Sequence, residues 1–122
     1  MTYHNYYAGQ PLDHVSCSND KNGLKTRWGY STIDPMAPYV AATSISGWNS
    51  PNCGKCYQIV GWAKTIYVTA IDQCGPGPSG EMHFDIHPDG YRELMGAAGV
   101  TAGSGSVTYK EVASSYCKGN KG

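Results

Sequence analysis

Apolar residues fall along the chain in short β-like stretches with one helical interruption. Residues 55–60, 65–71 and 106–112 are rich in β-branched and aromatic side chains and bounded by glycine or polar residues, the pattern of strands. The first two predict a hairpin whose tip, Gly61-Trp62-Ala63-Lys64, leaves Trp62 at least partly in water. Residues 82–86 read as a further short strand, with Phe84 and Ile86 on one face and His83, Asp85 and His87 on the other. The period changes in residues 88–95, where Leu94 and Met95 follow Tyr91 by three and four positions and make a one-sided stripe. That predicts a helix, stopped by the glycines at 96 and 99. Residues 19–23 read as a turn, 31–39 as an irregular loop and 73–80 as a Gly/Pro loop. Without repeats or a linker, residues 1–122 form a single domain, and short strands with Gly-rich turns predict a small, mainly-β barrel or sandwich.

Composition adds that the aliphatic core is thin. Leu, Ile, Val and Phe together supply 17 of 122 residues, while ten Tyr and three Trp offer large apolar faces instead. Nine basic residues balance nine acidic ones with no basic block, which excludes electrostatic nucleic-acid binding. No run approaches the length of a membrane span, so no membrane partner is expected. Met1 leads straight into polar Thr2-Tyr3-His4-Asn5, the pattern expected of a mature-length chain with a start methionine.

Five cysteines, at 17, 53, 56, 74 and 117, in so small and aliphatic-poor a chain point to disulfides and an oxidising compartment. Cys53-Gly54-Lys55-Cys56 also has the spacing of half a zinc site or of a redox pair. Zinc would need a second ligand pair, and a redox motif normally opens a helix where residues 57–60 read as strand. Bridges to two distant cysteines are the better reading, with one thiol left over.

Two carboxylates stand at strand ends. Asp85 shares a polar row with His83 and His87, and Asp72 closes the preceding strand. Carboxylates beside His and Tyr in a groove suit sugar hydroxyls, or acid catalysis of glycoside cleavage. The alternatives are that Asp72 only caps a turn and the row is solvated, or that His83-x-Asp85-x-His87 converges on a metal ion.

Cys17-Ser18-Asn19 with Asn22-Gly23-Leu24, the run from Ser46-Gly47-Trp48-Asn49-Ser50-Pro51 to Cys53-Gly54-Lys55-Cys56-Tyr57, Ile66-Tyr67-Val68-Thr69-Ala70-Ile71-Asp72, and Cys117 resemble the cerato-platanin family of small secreted fungal proteins. The match covers nearly the whole chain. It implies a six-stranded double-psi β-barrel with one or two short helices, related to expansins, barwin-type proteins and family-45 glycoside hydrolases. It also implies disulfides Cys17–Cys53 and Cys56–Cys117, each worth up to about 4 kcal/mol by loop entropy. Family members bind chitin oligomers in a shallow groove, loosen cell walls and act on plants as elicitors or toxins.

The chain departs from that pattern in places. Tyr57 stands where the family usually has tryptophan, the Gly-rich loop is longer, and His83-Phe84-Asp85 looks like the His-Phe-Asp of expansins and family-45 hydrolases. Asp72-Gln73-Cys74 looks like the Asp-Gln-Cys of barwin-type proteins, which makes Cys74 the leftover thiol, expected to be accessible and able to link dimers. Thr26-Arg27-Trp28-Gly29-Tyr30 carries no acidic residue where the hydrolases hold their base, and Asp34 is the nearest substitute.

The resulting expectation is a secreted, non-catalytic, wall-active protein and plant elicitor located in the fungal cell wall. Its partners would be chitin oligomers or another wall polysaccharide and a plant surface receptor, with no cofactor and no metal. Asp72, His83 and Asp85 would bind hydroxyls, with Trp28, Tyr30 and Trp62 as stacking faces. The rivals are a weak endoglucanase-like or lytic enzyme using Asp85 and Asp72, and a structural surface-film protein.

Overall fold

The computed structural model describes residues 1–19, 21–75, 82–105 and 107–122. In chain order come β1 (Thr2–Tyr3), a 3-10 turn at Leu12–His14, α1 (Leu24–Trp28), β2 (Val40–Thr43), β3 (Cys56–Val60), β4 (Thr65–Gln73), β5 (Phe84–Ile86), α2 (Pro88–Ala102), β6 (Thr108–Val112) and a 3-10 turn at Ser114–Tyr116. The six strands make one sheet in the order β1-β5-β2-β4-β3-β6.

The expected hairpin is present: β3 and β4 pair antiparallel, with Val60 opposite Thr65. Three elements were not anticipated. β2 lies in the middle of the sheet, antiparallel to β5 and parallel to β4, and all four of its residues are buried. Covered on both faces, it has no polar alternation to betray it. β1 pairs parallel with β5. α1 is one turn long, too short for a period to show. α2 breaks at Gly96 as expected, since that residue takes φ 71°, ψ −174°, but helix resumes beyond it to Ala102. Of the expected turn and loop, Asp20 and residues 76–80 lie outside the described residues, as do Glu81 and, at the start of the expected last strand, Ser106.

The sheet is open: β1 and β6 are its edges, and no strand pairing joins them among the described residues. The closed barrel implied by the resemblance is therefore not seen. The two edges approach each other at Met1, whose amine donates to Gly105 O (2.8 Å) while Gly105 N donates to Met1 O (3.0 Å).

Both faces of the sheet carry core. On one, Ala41, Ile66, Val68, Ala70, Phe84 and Ile86 pack with Tyr91, Leu94 and Met95 of α2. On the other, Val40 and Ile71 are covered by Tyr6, Leu12, Val15, Leu24, Trp28, Ile33 and Met36 from the N-terminal third. The implied disulfides are both present, Cys17–Cys53 inside this second cluster and Cys56–Cys117 fastening the C-terminal turn to β3. They close spans of 36 and 61 residues, and together with aromatic packing they offset the shortage of aliphatic side chains.

Candidate functional site

A slip in register creates the site. Along β4, Ile66, Val68 and Ala70 point to the α2 side, and simple alternation would send Asp72 there too. Instead β2 and β4 pair Ala41 with Ala70 but Ala42 with Asp72, leaving Ile71 without a partner on β2. The extra residue turns Asp72 to the opposite face, the re-aiming that a bulge produces. On the other side of β2, Ala42 pairs with Asp85. Asp72, Ala42 and Asp85 thus form a row across three strands, with the two aspartate backbones about 10 Å apart at two strand spacings.

The two carboxylates have different surroundings. Asp72 accepts from Ser16 N (2.9 Å), Ser16 Oγ (2.8 Å), Gln73 N (2.9 Å) and the Tyr6 hydroxyl (3.2 Å). It is a clamp that holds the N-terminal segment against the sheet. Tyr6 is buried, and that burial, with the Asp72 charge second, drives its phenol far above the usual range, so it stays a donor. Asp85 is less committed: its Oδ1 lies 3.3 Å from His83 Nε2, and the side chains of His83 and Asp85 keep 20% and 25% of their surface exposed. Thr2 Oγ1 is 3.0 Å from the same imidazole nitrogen.

Cys74 joins this group. It is outside any disulfide and partly buried. Its thiol donates to His83 O at 3.5 Å, and burial reinforced by the Asp85 charge pushes it up to about 11. His87 leaves the row that alternation predicted for it. Its backbone turns to open α2, and its Nδ1 accepts from Asp89 N at 3.1 Å. Burial lowers its pKa, which suits a neutral cap.

Tyr6 links the carboxylate row to an open groove of about 410 Å³, whose walls include Asp34, Pro38, His87 and Asp89. Asp34 accepts from Gly9 N at 2.8 Å. The expected aromatic faces are elsewhere. Trp28 is a core residue at 4% exposure, because α1 turns it inward beside Leu24. Tyr30 is half-buried under the C-terminal tail, its hydroxyl donating to Gly119 O and the Lys121 ammonium 4.5 Å above its ring. Trp62 is exposed, but it sits at the hairpin, and Asp72 lies seven residues along β4 from Thr65, about 23 Å. A second concavity of about 250 Å³ includes Tyr39, Tyr67, Glu93 and Tyr116, with the Tyr67 and Tyr116 rings stacked at 5.3 Å. Neither Tyr6 nor Tyr116 carries a signal in the sequence, since distant pairings alone bring them to these places.

This fold recurs in known structures. The cerato-platanin family model matches residues 1–119. The chain belongs to the cerato-platanin family. Allergen Asp f 15 of Aspergillus fumigatus is 41% identical over 90% of this chain and 69% of its own length. The crystal structure of cerato-platanin 3 from M. perniciosa superposes with a TM-score of 0.81 at 35% identity, over 95% of this chain and 94% of that one. The solution structure of the fungal elicitor cerato-platanin superposes at 0.75 and 27% identity, over 98% and 96%. No helix of the described residues is long and apolar enough to cross a membrane.

Proposed function

We propose that this cerato-platanin-family chain is a secreted, non-catalytic carbohydrate-binding protein of the expansin-like, double-psi-barrel kind, which takes up chitin oligomers or another wall polysaccharide and is recognised by plants as an elicitor. The observation that carries the reading is the row Asp72, Ala42, Asp85, with Tyr6 bonded to Asp72 and lining the neighbouring groove. Asp85 and His83 present exposed polar atoms to sugar hydroxyls, while Asp72 fixes the floor. The elicitor role draws on kinship with a protein described as a fungal elicitor, and secretion on two disulfides.

The non-hydrolytic role is part of the same proposal. Asp72 already accepts four hydrogen bonds, which supports a holding role for it over that of the second carboxylate of glycoside cleavage. Retention on chitin, cellulose and β-glucan tests the proposal. Asp85→Asn and His83→Gln should each weaken retention, and wild type should release no reducing ends. Retention equal to wild type in both variants would refute the groove. Loss in Tyr116→Ala instead would move the glycan to the tyrosine-lined concavity, and reducing ends lost in Asp85→Asn would make the protein an enzyme.

A further inference from the structure

We propose that Cys74, His83 and Asp85 form a zinc-binding site. One ligand atom from each of the three side chains lies within 4.8 Å of the others. His83 Nε2 and Asp85 Oδ1 are 3.3 Å apart, which is the edge of a tetrahedron with metal bonds of about 2.0–2.1 Å, the zinc distances to nitrogen and oxygen. The sulfur, within 4.8 Å of both atoms, needs a shift of at most about 1 Å to take up its own longer bond of about 2.3 Å, within the range of a side-chain rotation.

The scaffold already holds the three residues together. Both Cys74 and His83 hang on the end of β2: Cys74 N donates to Thr43 O (3.1 Å), His83 N to Ser44 Oγ (3.2 Å), and Ser44 N to His83 O (3.2 Å). Asp85 follows two residues later on the same face of β5. A ligand set arranged by sheet pairing loses little freedom when an ion arrives. Partial exposure of all three side chains leaves a route in.

The donor chemistry selects the metal. A thiolate with an imidazole favours zinc over calcium or magnesium, which prefer oxygen. Thiolate and carboxylate together balance the two charges of the ion, and the thiol gives up its proton to solvent on binding. Three protein ligands leave a fourth position for water, with the Thr2 hydroxyl close by. The same three residue types could be read as a nucleophilic cysteine with its base, but the charges acting on the thiol are those of Asp85 and Asp72. Carboxylates oppose a free thiolate and favour a cation.

Metal-free protein, dialysed from chelator with both disulfides intact, is titrated with zinc chloride by calorimetry and with cobalt(II) chloride by absorption. One zinc per chain is expected, together with a thiolate-to-cobalt charge-transfer band and visible bands of tetrahedral intensity. Cys74→Ser should abolish the charge-transfer band and weaken zinc binding more than about 100-fold, beyond what loss of a supporting residue costs. His87→Asn should bind as wild type does, since His87 faces α2. Absence of heat and of cobalt bands in wild type would overturn the proposal, as would zinc binding by Cys74→Ser at wild-type affinity. No glycan takes part in these titrations, so they stand apart from the polysaccharide reading.

Discussion

Replacing Asp72 with alanine removes the carboxylate that fastens the N-terminal segment to β4. Four donors lose their acceptor: the Tyr6 hydroxyl, Ser16 N, Ser16 Oγ and Gln73 N. A hydrogen bond to a charged group contributes about 1.5–3 kcal/mol, but four such bonds on one group are not additive. Asp72 is also partly exposed, so water replaces some of what is lost. Tyr6 is the exception, because it is buried at 4% exposure and its hydroxyl would be left without this partner. The expected loss is about 2–4 kcal/mol of folding stability at neutral pH. Urea unfolding of the disulfide-intact protein measures it, as a lower midpoint with an unchanged slope. A double-mutant cycle with Tyr6→Phe should give a coupling of about 1 kcal/mol or more. Asp85→Asn, which breaks only the contact with His83, should cost less than about 1 kcal/mol. A loss below about 1 kcal/mol for Asp72→Ala, or no coupling to Tyr6, would refute the clamp and return Asp72 to the role of a free groove residue.

Further outcomes follow from burial and close approach. Trp28→Ala should destabilise the fold by about 3–5 kcal/mol, whereas Trp62→Ala should cost about 1 kcal/mol or less and leave glycan retention unchanged; thermal unfolding and the pull-down check both. His87 is neutral in the fold with a pKa below its ordinary 6.5, so its contribution is complete above that value. It is lost as pH falls through 6.5 towards the folded pKa, because the unfolded chain takes up the proton first. In His87→Asn, which keeps a capping oxygen, urea midpoints compared across that window should lose this component of the pH dependence. At Gly61, an added Cβ would fall 2.5 Å from Leu94 O and Leu94 Cγ. Gly61→Ala should therefore cost about 1–3 kcal/mol in the same unfolding assay.

Local chemistry alone specified several elements. The β-branched run on either side of Gly61-Trp62-Ala63-Lys64 determined the β3–β4 hairpin, the Tyr91, Leu94, Met95 stripe determined the start of α2, and Gly96 determined its break. These interactions are short in range, so composition and period suffice. Resemblance, not spacing, supplied the disulfide pairing, which the structure contains. The strand β2 left no such trace, because Val-Ala-Ala-Thr buried on both faces has no polar side to show.

The site depended on that hidden strand. Counting by twos from Ile66 directs Asp72 into the α2 core, while the unpaired Ile71 directs it out, and only pairing with β2 reveals which residue is extra. Trp28 was mistaken for a surface ring for a related reason: one turn of α1 turns it inward, and five residues are too few to display a period. Tyr6 and Ser16 reach Asp72 across 66 and 56 residues, and Cys74 meets His83 because both bond to the end of β2. The sequence by itself determined the β3–β4 hairpin, the short strand at Phe84–Ile86, the last strand and the start of α2, and that Asp72 and Asp85 would stand at strand ends. Tertiary structure decided which of them share a face, because a single residue of register reverses the direction of every side chain that follows it.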